Sequence, residues 1–478
     1  LTLNFFTLDV VYRFIALNST WRHFGAVILA VAATATMLTL ALPLGEQSYL
    51  GWFVFVPVLR VVKGKGFLTA FALALSSIFL AAWISVSGLM YRVQDAQGSP
   101  AWVYTGFGIF GFSVCLAIGA WGDRATAKFP AWWFAGLAIL FEAYLLVQLP
   151  AHLALSQYRS VLMLQIAALG GIWLVSFLLW WSNFALANLS WKQLIAAIAA
   201  IVPCSLLLAG VRLPTVGKSS WFGVIQIAEP DDEHLASQQR LISGSHPDFV
   251  VWPEFAGIPF VQFGDTTKLV ALSREKGLAP IITSYPDDLR PLPHNTGALF
   301  QGGQISKLYY KRRLFGGESK MHTPGDQAVA TTYADGRVGL NICFDSCYPE
   351  IIRDTARIPG VNIISLPSID PYATNNFIAA MHASYTPFRA AENGVSFVKA
   401  DGLAYSMFVD PFGQIVSELP PGDRTQVVSL PIETHWTPYR QFGDWFLWLT
   451  GFAVLIPLVN SIRAKMRDRR DQQINLPS

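Results

Sequence analysis

The sequence predicts a polytopic α-helical membrane domain of about eight spans joined to an extracytoplasmic α/β domain. Charge is the first observation behind this. Asp, Glu, Lys and Arg make up 14% of the 478 residues, against about 25% in an ordinary soluble protein. Only 16 of those 65 charged residues lie within residues 1–212. The second observation is that apolar runs of membrane-crossing length fill that same region. The third is that the rest of the chain turns to short β-rich runs alternating with polar or amphipathic segments. Together these exclude a disordered chain, a collagen-like chain, a disulfide scaffold and a purely cytosolic enzyme. A net charge of +3 supplies no basic field for nucleic acid.

A helix needs about 20 apolar residues to cross the ~30 Å hydrocarbon core. Such runs occupy residues 24–44, 67–91, 102–121, 131–150, 160–186, 192–211 and 442–461. A shorter run at 49–62 contains Pro57 and reads as a broken or re-entrant eighth. Aromatic residues crowd the ends, among them Trp52, Trp102, Trp132, Trp180 and Trp445, as an interfacial belt requires. Residues 24–44 are too long for a signal-peptide core and follow no lysine-rich start, so they read as an uncleaved first span.

With a cytoplasmic N-terminus, thirteen Lys and Arg fall on the inside and two, Arg92 and Arg159, in short outside loops. That bias yields a bundle over 1–212 with about seven spans, an outer domain over 213–440, a returning span at 441–462 and a basic cytoplasmic tail at 463–478. The alternation requires 49–62 to cross. Glu142 lies inside the run FAGLAILFEAYLL. An intramembrane carboxylate is a functional candidate, but a hydrogen-bonded contact between helices is the plainer reading.

In the outer domain, residues 224–227, 249–252, 280–285, 338–342, 362–366 and 395–400 read as buried strands. Helices are expected near 232–243, 265–276, 349–357 and 374–393, and a hairpin turning on Ala334-Asp335-Gly336. Of the four cysteines, Cys115 and Cys204 sit in apolar runs, and Cys343 and Cys347 are four residues apart. No CxxC or nearby His pair accompanies them, so no metal site is expected, and their placement on a turn disfavours a bridge.

Three strand ends carry chemistry. VVWPEFA ends a strand at Pro253, which cannot extend a ladder, and delivers Glu254 at its tip. YYKRRLFGGES places Lys311 before a Gly-Gly turn and Glu318. VGLNICFDSCYPE runs a strand into Cys343, with Phe344 and Asp345 following and Pro349 placed to start a helix. Taken singly, these read as a rim carboxylate, a solvated basic loop and a buried structural cysteine. Taken together, their roles are complementary. A thiol, with a pKa near 8.5, needs a base such as Glu254 to act as a nucleophile. A tetrahedral intermediate needs Lys311 and the Phe344 N–H beside its oxygen. No metal or other cofactor is required.

The set WPE, YxK…GE and CxD…PE resembles the nitrilase (carbon–nitrogen hydrolase) superfamily and its Glu-Lys-Cys triad. The run MLQIAALGGIWLVSFLLWWSNFALA (163–187) and TPYRQFGDW (437–445) resemble the apolipoprotein N-acyltransferases within it. The resemblance implies an αββα sandwich on the periplasmic side of a bacterial inner membrane, acting as a monomer. It further implies that Cys343 takes an acyl chain from a phospholipid as a thioester, which the α-amine of a diacylglyceryl-cysteine on an apolipoprotein then attacks. Glu254 would be base and then acid, Lys311 would stabilise the oxyanion, and Glu318 would orient Lys311 or act on the acceptor. Against the family, the loop Leu314-Phe315-Gly316-Gly317-Glu318 is one residue shorter and lacks a proline. Phe344-Asp345 replaces Tyr-Glu, and Lys399-Ala400-Asp401-Gly402 replaces Thr-Asn-Asn-Gly. These departures bear on the acceptor rather than the thioester. A membrane-tethered amidase and an inactive scaffold are the alternatives.

Overall fold

The computed structural model describes residues 19–86, 114–123, 129–144, 152–190, 217–228, 230–261, 264–287, 292–370 and 376–474, with a few positions between 192 and 203. Its membrane half contains helices α1 (Ser19–Ala41), α2 (Val56–Val62), α3 (Phe67–Val86), α4 (Ala131–Tyr144) and α5 (Val161–Ala187). Among the described residues, four segments are long and apolar enough to span: His23–Ala41, Phe67–Ser85, Val161–Ala187 and, near the C-terminus, Trp445–Ala464. The expected spans at 102–121 and 192–211 lie mostly outside the described residues.

The run at 49–62 is broken, as Pro57 suggested. A 3-10 turn, Ser48–Trp52, precedes the seven-residue α2. In hydrocarbon each unpaired backbone group costs several kcal/mol, so a broken segment needs side-chain partners. Those come from α5. Asn183 accepts the Phe55 N–H (2.7 Å) and donates to the Gly51 carbonyl (2.9 Å), while Ser182 donates to the Trp52 carbonyl (2.6 Å). A second 3-10 turn, Leu153–Gln157, is tied the same way by Ser176, which accepts the Ala154 N–H at 3.2 Å. Glu142 serves there too: its Oε1 accepts from Trp180 Nε1 (2.7 Å) and the Leu153 N–H (3.3 Å). Oε1 thus makes the expected contact between helices, while Oε2 has no hydrogen-bond partner.

Helix α5 is kinked at Gly170-Gly171, where Gly171 has φ +75°. A side chain at Gly171 would meet the Tyr439 ring at 2.6 Å. The kink frees two backbone groups, and the α/β domain and the start of the C-terminal helix satisfy them. Glu392 accepts the Ile172 N–H at 2.7 Å, and Trp445 Nε1 donates to the Leu169 carbonyl at 2.9 Å. The TPYRQFGDW motif is therefore a joint. Tyr439 fills the notch, and Asp444 accepts from both Tyr439 and Trp173 at 2.9 Å.

The α/β domain, residues 217–431 of the described chain, is two facing sheets. One runs in the order β13-β1-β2-β3-β4-β5, with β6 also on β4; the other runs β12-β11-β10-β9-β8-β7. The first comprises β1 (Ser219–Gln226), β2 (Phe249–Val251), β3 (Ile281–Pro286), β4 (Asn295–Gln301), β5 (Gln304–Ile305), β6 (Tyr309–Tyr310) and β13 (Arg424–Pro431). The second comprises β7 (Val329–Tyr333), β8 (Gly336–Leu340), β9 (Val361–Ser368), β10 (Ser396–Asp401), β11 (Ser406–Val409) and β12 (Ile415–Leu419). Central pairs are parallel and edge pairs antiparallel.

Side-chain alternation divides the packing into layers. Phe249 and Val251 enter the core between the sheets, whereas Val250 and Trp252 face helices α6 (Asp232–Ser243) and α7 (Thr267–Ser273). In the second sheet Ile363 and Val398 face inward. Ile364 and Phe397 face α8 (Pro349–Ala356), α9 (Asn376–Ala383) and α10 (Tyr385–Asn393). The result is the expected αββα sandwich. Its second helix layer shares one continuous core with the membrane bundle, through residues such as Phe344, Cys347, Tyr385 and Phe388 beside Trp173 and Leu164. The short α11 (Pro438–Phe442) then leads into α12 (Trp445–Ile474).

Candidate active site

The structure brings Glu254, Lys311 and Cys343 together at one end of the sandwich. Glu254 follows β2 through Pro253 and is pinned across the two sheets by its N–H on the Ser368 carbonyl (3.2 Å). Lys311 directly follows β6, with its N–H on the Asn295 carbonyl at 2.9 Å. Its Nζ donates to Glu254 Oε1 and to Glu318 Oε1, both at 2.8 Å, and is fully buried. Asn295 Nδ2 also donates to Glu254 Oε1 (2.7 Å), whereas Glu254 Oε2 has no hydrogen-bond partner. That oxygen is available for a proton.

Cys343 opens the turn Cys343–Cys347 with φ +46°, a conformation an L-residue adopts only under constraint. The strand-to-helix elbow turns the thiol inward among the triad and leaves it 7% exposed. Burial pushes its pKa well above the ordinary thiol range; Glu254 adds to that, and Lys311 opposes it. For Lys311, burial alone would lower the pKa, but Glu254, together with Cys343 and Glu318, reverses this and holds it above the usual lysine value. The ammonium therefore stays charged where an oxyanion would form. The turn's own backbone bonds begin with the Asp345 N–H on the Ile342 carbonyl, which leaves the Phe344 N–H outside them.

The companion residues take distinct places. Glu318 holds Lys311 with one oxygen and, with the other, accepts the Phe315 N–H (2.8 Å), which shapes the shortened loop. The Phe315 ring then stands edge-on to Phe344 at 4.8 Å. Asp345 is fully buried and ties the lysine loop to the elbow. Its Oδ1 accepts the N–H groups of Arg312 (3.2 Å) and Arg313 (2.9 Å); its Oδ2 accepts from Tyr309 (2.6 Å) and the Ile342 N–H (3.0 Å). Cys347 is buried and unbridged, as is Cys343.

Sequence reasoning missed a second ionic cluster behind Cys343. Asp370, His382, Lys399 and Asp401 are all buried. His382 Nδ1 lies 2.6 Å from Asp370 Oδ1; Asp370 Oδ2 is 3.3 Å from Lys399 Nζ, which also binds Asp401. Burial works against charge on His382, but Asp370 beside it raises its pKa to about 10. Cys343, Asp370 and His382 place ligand-type atoms within 4.8 Å of one another. Lys399 and the proton on Nδ1 already occupy both Asp370 oxygens, so the donor set does not fit a cation. Lys399 and Asp401 stand at the departure from Thr-Asn-Asn-Gly, and that was the available signal.

A cavity of about 340 Å³ lies between the spans and the outer domain. Trp173, Leu447 and Trp448 line it from the membrane side, and Arg313, Cys347 and Tyr348 from the outer domain. The turn that presents Cys343 on one side of the elbow thus reaches this cavity on the other.

Two family models match the chain: the carbon-nitrogen hydrolase over residues 224–439 and the apolipoprotein N-acyltransferase N-terminal domain over 34–185. The chain is similar to an apolipoprotein N-acyltransferase of Geobacter metallireducens, at 24% identity over 90% of this chain and 94% of that protein. It is also similar to one from Nostoc sp., at 28% identity over 53% of this chain and 58% of the other. An (R)-stereoselective amidase of Pseudomonas sp. is 30% identical over 42% of this chain and 74% of its own length. A solved amidase from Nesterenkonia sp. superposes with a TM-score of 0.41 at 22% identity, covering 50% of this chain and 98% of that one.

Proposed function

The chain belongs to the apolipoprotein N-acyltransferase family, within the carbon–nitrogen hydrolase superfamily, and on that premise we propose that it N-acylates lipoproteins through a Cys343 thioester. The observation that carries this is the meeting of Glu254, Lys311 and Cys343 in one buried cluster. Glu254 Oε2 takes the thiol proton, and the sulfur attacks an ester carbonyl of a phospholipid. As the C–S bond forms, the carbonyl electron pair moves onto oxygen, facing Lys311 Nζ and the Phe344 N–H. Collapse breaks the ester C–O bond, and the proton on Glu254 passes to the departing glycerol oxygen. The α-amine of a diacylglyceryl-cysteine then attacks the thioester. Glu254 accepts the amine proton and returns one to the sulfur, leaving an amide and the free thiol. Glu318 keeps Lys311 aimed at the oxyanion, and Asp345 keeps the lysine loop in register with the elbow.

Transfer to an amine rather than to water requires a dry site. Burial of the thiol and the aromatic cover of Phe315, Phe344 and Tyr348 support that. The cavity at the membrane junction, lined by Cys347 of the same turn, supports a site close to lipid. The Lys/Arg asymmetry supports an eight-span topology in a bacterial inner membrane, with residues 213–440 on the periplasmic side and cytoplasmic termini. One chain supplies all three groups, which supports a monomer as the acting unit. The test is intact-mass analysis after incubation with phospholipid vesicles and then with a diacylated lipopeptide. An acyl adduct that passes to the peptide is expected. Released fatty acid or ammonia without an acylated amine would instead favour a tethered amidase.

A further inference from the structure

His382 reaches the nucleophile from the side opposite Glu254. Its Nε2 lies 3.1 Å from the Cys343 carbonyl oxygen and 3.0 Å from Ser346 Oγ, while Nδ1 faces the Asp370 carboxylate. Ser346 Oγ itself donates to the same carbonyl at 3.0 Å. A carboxylate and a carbonyl only accept, and with burial outweighed by Asp370, which raises the His382 pKa to about 10, the imidazole presents N–H on both nitrogens. Lys399 and Asp401 hold Asp370 from behind: the Asp370 N–H donates to Asp401 Oδ1 at 3.3 Å, and that oxygen also accepts the Leu403 and Ala404 N–H groups. Four buried charges are costly to keep out of water, and here they converge on one backbone carbonyl. That carbonyl belongs to the Cys343–Phe344 peptide, whose N–H is the oxyanion donor. A hydrogen bond to a peptide's oxygen fixes its plane and strengthens the donor at its other end. At Cys343 the plane needs fixing, because φ is +46°.

We propose that His382 is a positioning residue for thiol acylation: held by Asp370, it donates to the Cys343 carbonyl, orients and polarises the Cys343–Phe344 peptide, and so aims the Phe344 N–H at the forming oxyanion. This rests on the thioester reading above. It separates two reactions of the same sulfur. Acylation by an ester passes through an oxyanion. Alkylation by iodoacetamide does not, and depends only on thiolate and access.

The experiment uses the full-length protein in detergent. It compares the acylation burst with p-nitrophenyl butyrate against iodoacetamide alkylation at Cys343, read by peptide mass. H382A is expected to slow acylation about 10-fold or more, part of the loss seen when an oxyanion donor is removed, with alkylation changed less than about 2-fold. H382Q, whose amide N–H can reach the same carbonyl, recovers part of the acylation rate. Should H382A fail to fold, D370N gives the same reading: acylation slowed, while alkylation is kept or faster because one anion near the thiol is gone. Acylation and alkylation falling together, or acylation unchanged, overturns the proposal. If the wild-type protein is acylated by the ester but not by phospholipid, the donor assignment fails and this inference stands or falls on the variants alone. If the ester leaves no acyl group on Cys343, both fail.

Discussion

Two ionic clusters flank Cys343, and they differ in what they can touch. On one side Lys311 bridges Glu254 and Glu318, with Glu254 Oε2 left unpaired toward the thiol. On the other side both oxygens of Asp370 and both nitrogens of His382 are taken, and the hydrogen bonds to Cys343 reach its backbone carbonyl. A cluster with an open valence can exchange protons with a substrate. A saturated one can only hold geometry. Burial is similar on both sides, so the partner count separates chemistry from support.

The largest effect that tests this contrast is at the sulfur itself. Cys343→Ser should abolish the acyl adduct seen by intact mass; an adduct of unchanged yield would move the nucleophile elsewhere. Lys311→Ala should follow, slowing acyl transfer by on the order of 10²-fold or more, and near-normal turnover would remove the lysine from the reaction. Asp345→Asn comes next. An amide cannot accept the four donors that Asp345 serves, so buried N–H groups lose partners at about 1–3 kcal/mol of stability. A lower unfolding midpoint together with a roughly 10-fold slower transfer is expected, the latter being about 1.4 kcal/mol in the barrier.

A pH profile sharpens the comparison further. Burial and then Glu254 raise the Cys343 pKa, so iodoacetamide alkylation should climb through the alkaline range. Glu254→Gln removes the nearest anion and should move that climb to lower pH, even as acyl transfer falls. A profile that stays in place would show that Glu254 does not face the thiol. The smallest effect is Cys347→Ser, a near-isosteric change at a buried thiol, which should keep most of the activity; loss equal to that of Cys343→Ser would break the assignment.

Much of this was legible along the chain because the signals are local. Hydropathy marks spans, Pro253 marks a strand's end, and Gly316-Gly317 marks a turn. Strands read from apolar runs came out near their predicted places, as with 249–252 and 362–366. Polar ones did not. β1 begins at Ser219, five residues before the predicted start, because its ladder with β13 extends to Ser219 opposite Pro431. Strands β12 and β13 carry Ser, Glu, Gln and Arg and form by pairing rather than by burial of a run. The kink at Gly170-Gly171 was hidden inside a continuous apolar stretch, since its partners, Glu392, Tyr439 and Trp445, lie more than 200 residues away.

What the sequence determined by itself was the division into a lipid-facing half and a strand-built half, and the three chemically complementary residues at strand ends. Each of those follows from composition or spacing within a few residues. Tertiary structure alone decided which acid stays open and which is saturated, that Asp345 links the lysine loop to the elbow, and that His382 reaches the Cys343 carbonyl. The physical reason is that a hydrogen-bond partner more than 30 residues distant leaves no periodic trace, and only the closing of two sheets over one turn brings such groups to 3.1–3.2 Å.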